Sequence, residues 1–169
     1  MKRVRSAFLV LAFLLASAAA PADPATSPAW EKLKSLVGEW DGTVSHGSET
    51  MPVTISYTLV SSGTALMERL STPDGADMVT MYHPDGSRIL MTHYCAGGNQ
   101  PRMRAPASKG NVDRLAFSFV DATNLPDPKV EHMRSLVVRF DDADHFTQEW
   151  THRKAGKDET GVFKYTRRK

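Results

Sequence analysis

The sequence predicts an all-β fold: an antiparallel up-and-down barrel of about ten strands, with a short helix at its N-terminal side. Three observations predict it. Apolar residues recur at every second position along most of the chain. Val53, Ile55, Tyr57 and Leu59 alternate with Thr54, Ser56 and Thr58; Leu66 and Leu70 share a parity, as do Leu115, Phe117 and Phe119. Period two sends one side chain inward and the next outward along a pleated strand. Turn signals interrupt the pattern repeatedly, at His46-Gly47-Ser48, Ser61-Ser62-Gly63, Pro73-Asp74-Gly75, Pro84-Asp85-Gly86, Gly97-Gly98-Asn99, Lys109-Gly110-Asn111 and Ala155-Gly156-Lys157. Short strands at such spacing read as a barrel or sandwich. Finally, the chain has no βαβ alternation, internal repeat or low-complexity tract within the domain, which removes the parallel-sheet and solenoid classes.

The first segment is an address rather than a part of the fold. Lys2, Arg3 and Arg5 precede an unbroken apolar run, Ala7 to Leu15, and small residues Ala16 to Ala20 follow before Pro21. This is the pattern of a cleavable secretory signal over residues 1–20, and the run is far shorter than the ~20 residues that span a bilayer. The mature protein is expected outside the cytoplasm, periplasmic or secreted, without membrane insertion. Residues 21–28 form a Pro/Ala-rich lead-in, and residues 29–169 form one barrel domain.

Removing the signal reverses the charge. The chain carries 21 Lys and Arg against 19 Asp and Glu; three of the basic residues and none of the acidic ones lie in positions 1–20, leaving 18 against 19. No basic stripe remains to recruit nucleic acid. The single cysteine, Cys95, excludes an intramolecular disulfide. No H-x-H, H-E-x-x-H or paired-cysteine spacing points to a metal site.

The mature domain opens with Trp30 to Val44, in which helical spacing over Pro28 to Val37 stops at Gly38 and Trp40 begins a strand. A second helical turn is expected near Pro128 to His132. Gly38, Trp40 and Gly42 resemble the opening of the lipocalin and fatty-acid-binding (calycin) superfamily and of nitrobindin-like barrels. That resemblance implies a Trp closing the barrel base beneath a basic side chain of the last strand, here Lys164 or Arg167. A longer resemblance covers Tyr82 to Gly86, Thr92 to Ala96, Gly98 to Met103, Phe119 to Leu125 and His132-Met133. It is to a group of uncharacterised, often exported, bacterial barrel proteins, which implies no established activity. Haem, which the nitrobindin likeness brings into view, is matched less well. A third Gly of those proteins is Val44 here, and no His has the flanking residues of their axial ligand.

Hairpin geometry assigns the interior. A two-residue turn at Asp85-Gly86 pairs Pro84 with Ser87 and sets His83 opposite Arg88, Tyr82 opposite Ile89 and Met78 opposite His93. Met78, Thr80, Tyr82, Ile89, Met91, His93 and Cys95 then share the less charged face, read as inward. A turn at Ala155-Gly156 pairs Trp150 with Gly161, Gln148 with Phe163 and Phe146 with Tyr165, again an aromatic inner face, with His152 and Glu159 at its rim. Glu68 has the parity of Leu66 and Leu70, so it points inside as well.

An interior holding Glu68, His93, Cys95 and Gln148 among aromatics and methionines is not a simple apolar core, and buried polar groups need partners. The expected function is binding of a small, partly apolar molecule. Tyr82, Phe146 and Trp150 would form the walls, and Glu68, His93, Arg102 and Gln148 the polar contacts. Two other readings stand beside it: an enzyme using His93 as acid/base with Glu68 as its orienter, and a packed barrel that only presents loops to another protein. Each residue also has a plain structural reading. A His93–Glu68 pair can simply hold strands in register, Cys95 can be a small buried hydrophobe, and Asn99 or Asn124 can cap turns. Direct contact between Glu68 and His93 would raise the imidazole pKa; burial alone would lower it.

Overall fold

The computed structural model describes residues 27–73, 75 and 77–169; the signal segment, most of the lead-in and Asp74 of one expected turn lie outside the described residues. The chain begins with helix α1 (Pro28–Lys34), followed by strands β1 (Gly38–His46), β2 (Glu49–Val60), β3 (Ala65–Ser71), β4 (Asp77–Asp85) and β5 (Arg88–Tyr94). Strands β6 (Gln100–Ala105), β7 (Arg114–Thr123), β8 (His132–Phe140), β9 (His145–Lys154) and β10 (Lys157–Arg167) complete it. Each strand pairs antiparallel with its predecessor, and β1 pairs with β10, closing the barrel. Closure leaves no sheet edge unpaired.

Helix α1 starts where Ser27 accepts a hydrogen bond from Trp30 N–H (3.2 Å) and Pro28 occupies the first turn. It is shorter than the expected Pro28–Val37. Beyond Lys34 the chain tightens, with Leu36 N–H bonded to Leu33 O (3.0 Å) and Val37 N–H to Lys34 O (3.2 Å). Gly38, at φ +129°, then turns the chain into β1. Ala29, Trp30, Leu33 and Leu36 are buried, so this segment packs onto the barrel as a plug.

Because strands alternate in direction, α1, the starts of odd strands and the ends of even strands share one end, the base. The loops at 47–48, 72–76, 95–99, 124–131 and 155–156 share the opposite, open end. Trp40 is 1 % exposed at the base and donates from Nε1 to Leu36 O (2.8 Å). The guanidinium of Arg167 lies 4.0 Å from the Trp40 ring and donates to Val37 O (3.0 Å) and Ser35 O (2.8 Å). Of the two basic side chains considered, Arg167 makes this cap while Lys164 is exposed. Gly42 is required by packing, since a Cβ there would meet the Tyr165 ring at 2.4 Å and Lys164 O at 2.6 Å.

The last hairpin has the expected register, with Ala155 and Gly156 both at positive φ (48° and 79°), as its two-residue loop demands. The β4–β5 hairpin does not. Its loop is Gly86-Ser87, with Asp85 paired to Arg88, so Tyr82 faces Met91 and Thr80 faces His93. Gly86 takes the first loop position with φ +62°, while Asp85 stays in the strand. The slip is two residues, an even number, so the residues within the two strands keep their expected faces. Leu59 breaks the β2 alternation, 38 % exposed next to the short 3-10 turn Ser61–Gly63. Near Pro128 the structure has one hydrogen-bonded turn, Val130 N–H to Asp127 O (3.0 Å), and no helix, because β8 begins at His132.

Candidate functional site

The predicted interior residues separate into layers. At the base, Phe146 packs edge-on to Trp40 (ring centroids 4.7 Å apart) and stacks on Tyr165 (4.7 Å). Phe146 therefore belongs to the plug and is not a wall of the site around His93. The next layer is built on Glu68, 1 % exposed. Its Oε2 accepts from Tyr57 OH (2.7 Å), Tyr82 OH (2.7 Å) and Gln148 Nε2 (2.8 Å), and its Oε1 from Thr80 Oγ1 (3.2 Å). Gln148 also donates to Tyr57 OH (2.9 Å) and accepts from Trp150 Nε1 (3.1 Å), which fixes its amide orientation.

These donors come from three strands. Parity turns Tyr57 on β2, Thr80 and Tyr82 on β4, and Gln148 on β9 toward one point, and the registers Tyr57↔Glu68 and Glu68↔Thr80 place two of them on either side of the carboxylate. Burial pushes the Glu68 carboxyl up, against four hydrogen bonds that pull it down. Burial and then the Glu68 charge push the Tyr57 and Tyr82 hydroxyls well above their ordinary range, so both remain donors.

His93 stands one step further along the chain of contacts. Its Nδ1 lies 2.9 Å from Thr80 Oγ1, and Thr80 separates it from Glu68. The direct imidazole–carboxylate pair expected from the sequence does not form, and the expected upward shift is reversed: burial pushes the His93 imidazole down to about 4. The cause is register, since Thr80 is the cross-strand partner of both residues. Trp150 packs beside the imidazole, centroids 4.8 Å apart. His93 is 2 % exposed, yet its Nε2 has no hydrogen-bond partner.

A second such atom belongs to the open end. Asn99, in the β5–β6 loop, is 1 % exposed and donates from Nδ2 to Glu131 O (2.8 Å), while its Oδ1 has no partner. Glu131 in turn meets Lys154 (3.1 Å) and approaches His152 (3.9 Å), which also approaches Glu159 (3.7 Å). The expected rim pair of His152 and Glu159 is therefore present, with Glu131 joining it. His132, buried at the start of β8, bonds through Nδ1 to Val130 O (2.7 Å) and packs on Phe119.

Two expected site residues fall elsewhere. Arg102 is exposed and forms a forked ion pair with Asp121 on the outer wall, lining a cleft of about 320 Å³ with Arg88, Arg104 and His83. An even–odd count puts it opposite to Met103, which is fully buried. Cys95 lies past the end of β5, half-buried, with its Sγ accepting from Gly97 N–H (3.4 Å), and so is a turn residue rather than an interior one. Tyr57 and Thr80 are the polar members that sequence reasoning left out of the site, although their parity had placed both with inward neighbours. A haem fits poorly here, because the Trp150 indole already packs against the one interior imidazole with an open nitrogen.

Comparison with known proteins supports the fold and goes no further. No protein-family profile matches the chain, and no curated protein matches it. The crystal structure of Rv2717c from M. tuberculosis is similar with a TM-score of 0.61 at 14% identity, covering 85% of this chain and 99% of that one. A protein of unknown function from the DUF3598 family of Nostoc punctiforme gives a TM-score of 0.54 at 12% identity, covering 80% of this chain and 48% of that one. At these identities the likeness shows the architecture alone, a closed ten-strand antiparallel barrel.

Proposed function

We propose that this chain is an exported protein whose barrel binds a small, partly apolar molecule in the part of its interior nearest the open end. The observation that carries the reading is the Nε2 of His93, buried with no partner, in an interior where Glu68 is otherwise saturated with donors. Buried polar atoms are normally paired, so an open one marks a place where another molecule completes the set. Trp150 supplies the aromatic surface beside it, Tyr82 belongs to the Glu68 layer, and Arg102 has no part. The stretch from Thr92 to Met103, which resembles exported barrel proteins, carries both His93 and Asn99. That adds weight to this end of the barrel as the working one.

Native mass spectrometry of the protein recovered from its cells, combined with an absorbance scan, tests the reading. A small molecule retained by the wild type and lost from His93→Ala, with folding unchanged, is the expected result. A retained molecule unaffected by His93→Ala would place the site elsewhere.

The Glu68–Thr80–His93 chain also favours a second reading, catalysis with His93 as base. At neutral pH a buried imidazole with a pKa of about 4 is unprotonated and can accept a proton but not give one. Turnover abolished by His93→Ala would separate this from simple binding.

A further inference from the structure

We infer that the molecule taken by this barrel presents a hydrogen-bond donor, an O–H or N–H on an apolar ring, to the Nε2 of His93. The inference rests on the interior binding site proposed above and deepens it. The Oε2 of Glu68 is occupied by three donors, and its Oε1 has Thr80 as its partner. An ionised carboxylate only accepts, so the single proton of the Thr80 hydroxyl is directed to Oε1. The hydroxyl oxygen is then free to accept, and the atom facing it at 2.9 Å, His93 Nδ1, must carry the imidazole proton. A neutral imidazole has one N–H. Nε2 is therefore left as a bare lone pair, held in place by a fixed chain of contacts through Thr80 to Glu68.

Asn99 leads to the same answer by a separate route. Its amide nitrogen is identified by its contact with the Glu131 carbonyl, which can only accept, so the open atom is the oxygen. Four buried side-chain atoms among the described residues have no partner. Tyr165 OH lies in the base layer and Arg104 Nε beside the outer cleft. The two toward loops 95–99 and 124–131, His93 Nε2 and Asn99 Oδ1, are both acceptors. A ligand that brought further acceptors, a carboxylate or phosphate above all, would leave both unpaired and would add charge to an interior that already holds Glu68. An apolar ring bearing hydroxyl or N–H groups matches them.

Phenol and anisole provide the test, since they differ in whether the oxygen carries a proton. Titrations followed through the His93 and Trp150 side-chain NMR signals should show phenol binding about tenfold more tightly than anisole, the loss expected when a buried acceptor goes unpaired. Benzoate should bind more weakly than either. The preference should persist in Thr80→Ser, which keeps the hydroxyl, and disappear in Thr80→Val, which removes the proton order. In the ligand-free wild type near neutral pH, nitrogen-15 spectra should show the proton of His93 on Nδ1, a readout that survives even if Thr80→Val does not fold. A proton found on Nε2, which follows if Glu68 is protonated at Oε1, overturns the inference and leaves the site itself standing. Equal binding of phenol and anisole does the same. Failure of both probes to move His93 removes the inference and the proposed site together.

Discussion

At the scale of single residues, the decisive relation is that Thr80 stands between Glu68 and His93. Period two was enough to turn all three inward, so the composition of the interior was legible in the sequence. Which of them touch was not. Contact depends on the β4–β5 register, and the Asp85-Gly86 signal gave that register with an error of two residues. A two-residue slip leaves faces intact but moves partners by about two strand steps, which exchanges Met78 for Thr80 opposite His93. Arg102 was misplaced for a different reason, because its charge and motif suggested a role while its parity, opposite to that of Met103, pointed outward. The His93 titration should reflect the buried, unpaired geometry, with a midpoint near 4 in an NMR pH series, below the ordinary 6.5. The sign for stability follows. With the folded-state pKa depressed, His93 contributes stability that is present above about 6.5 and is lost as pH falls toward 4, at up to about 1.4 kcal/mol per pH unit. A His93 midpoint at or above 6.5 would show a charged partner that this geometry lacks.

At the scale of elements, β1 and α1 act together. Gly38 turns the chain, Trp40 fills the base and bonds back to Leu36, and Gly42 lets Tyr165 pack directly on the strand. This opening was readable because each residue type has a steric reason to be where it is. The length of the helix was less readable, since its last residues form tighter turns with the same apolar spacing. Replacing Trp40 by Ala should destabilise the barrel by ~3–5 kcal/mol, the range for deleting a large buried aromatic. It also removes the surface under the Arg167 guanidinium. Chemical denaturation of the variant checks this, and an unchanged midpoint would mean that Trp40 does not hold the base.

At the scale of the whole molecule, turn spacing predicted about ten short antiparallel strands and left barrel and sandwich open. The helix leading into Trp40, with its resemblance to calycin openings, selected the up-and-down barrel that β1 and β10 close. The proposed signal segment belongs to this scale too, since it would decide where the molecule works. N-terminal sequencing of the protein from its cells should find a start near Ala19 to Ala22, with Pro21 disfavouring cleavage immediately before it. An intact Met1 would count against export.

The contact of Arg167 with the carbonyls of Ser35 and Val37 ties the third residue from the C-terminus to the first segment of the domain. A ribosome emits these two pieces far apart in time. The wall can be completed only after β10 has emerged, so the nascent polypeptide carries its unclosed edges, β1 and whichever strand was made last, until β10 is made. On the proposed export route, through a secretion channel in extended form, that delay would be an advantage, because premature closure would block passage. It also makes Arg167 a timer. Replacing it by Ala should slow refolding and favour aggregation well before it changes the shape of the barrel that does form.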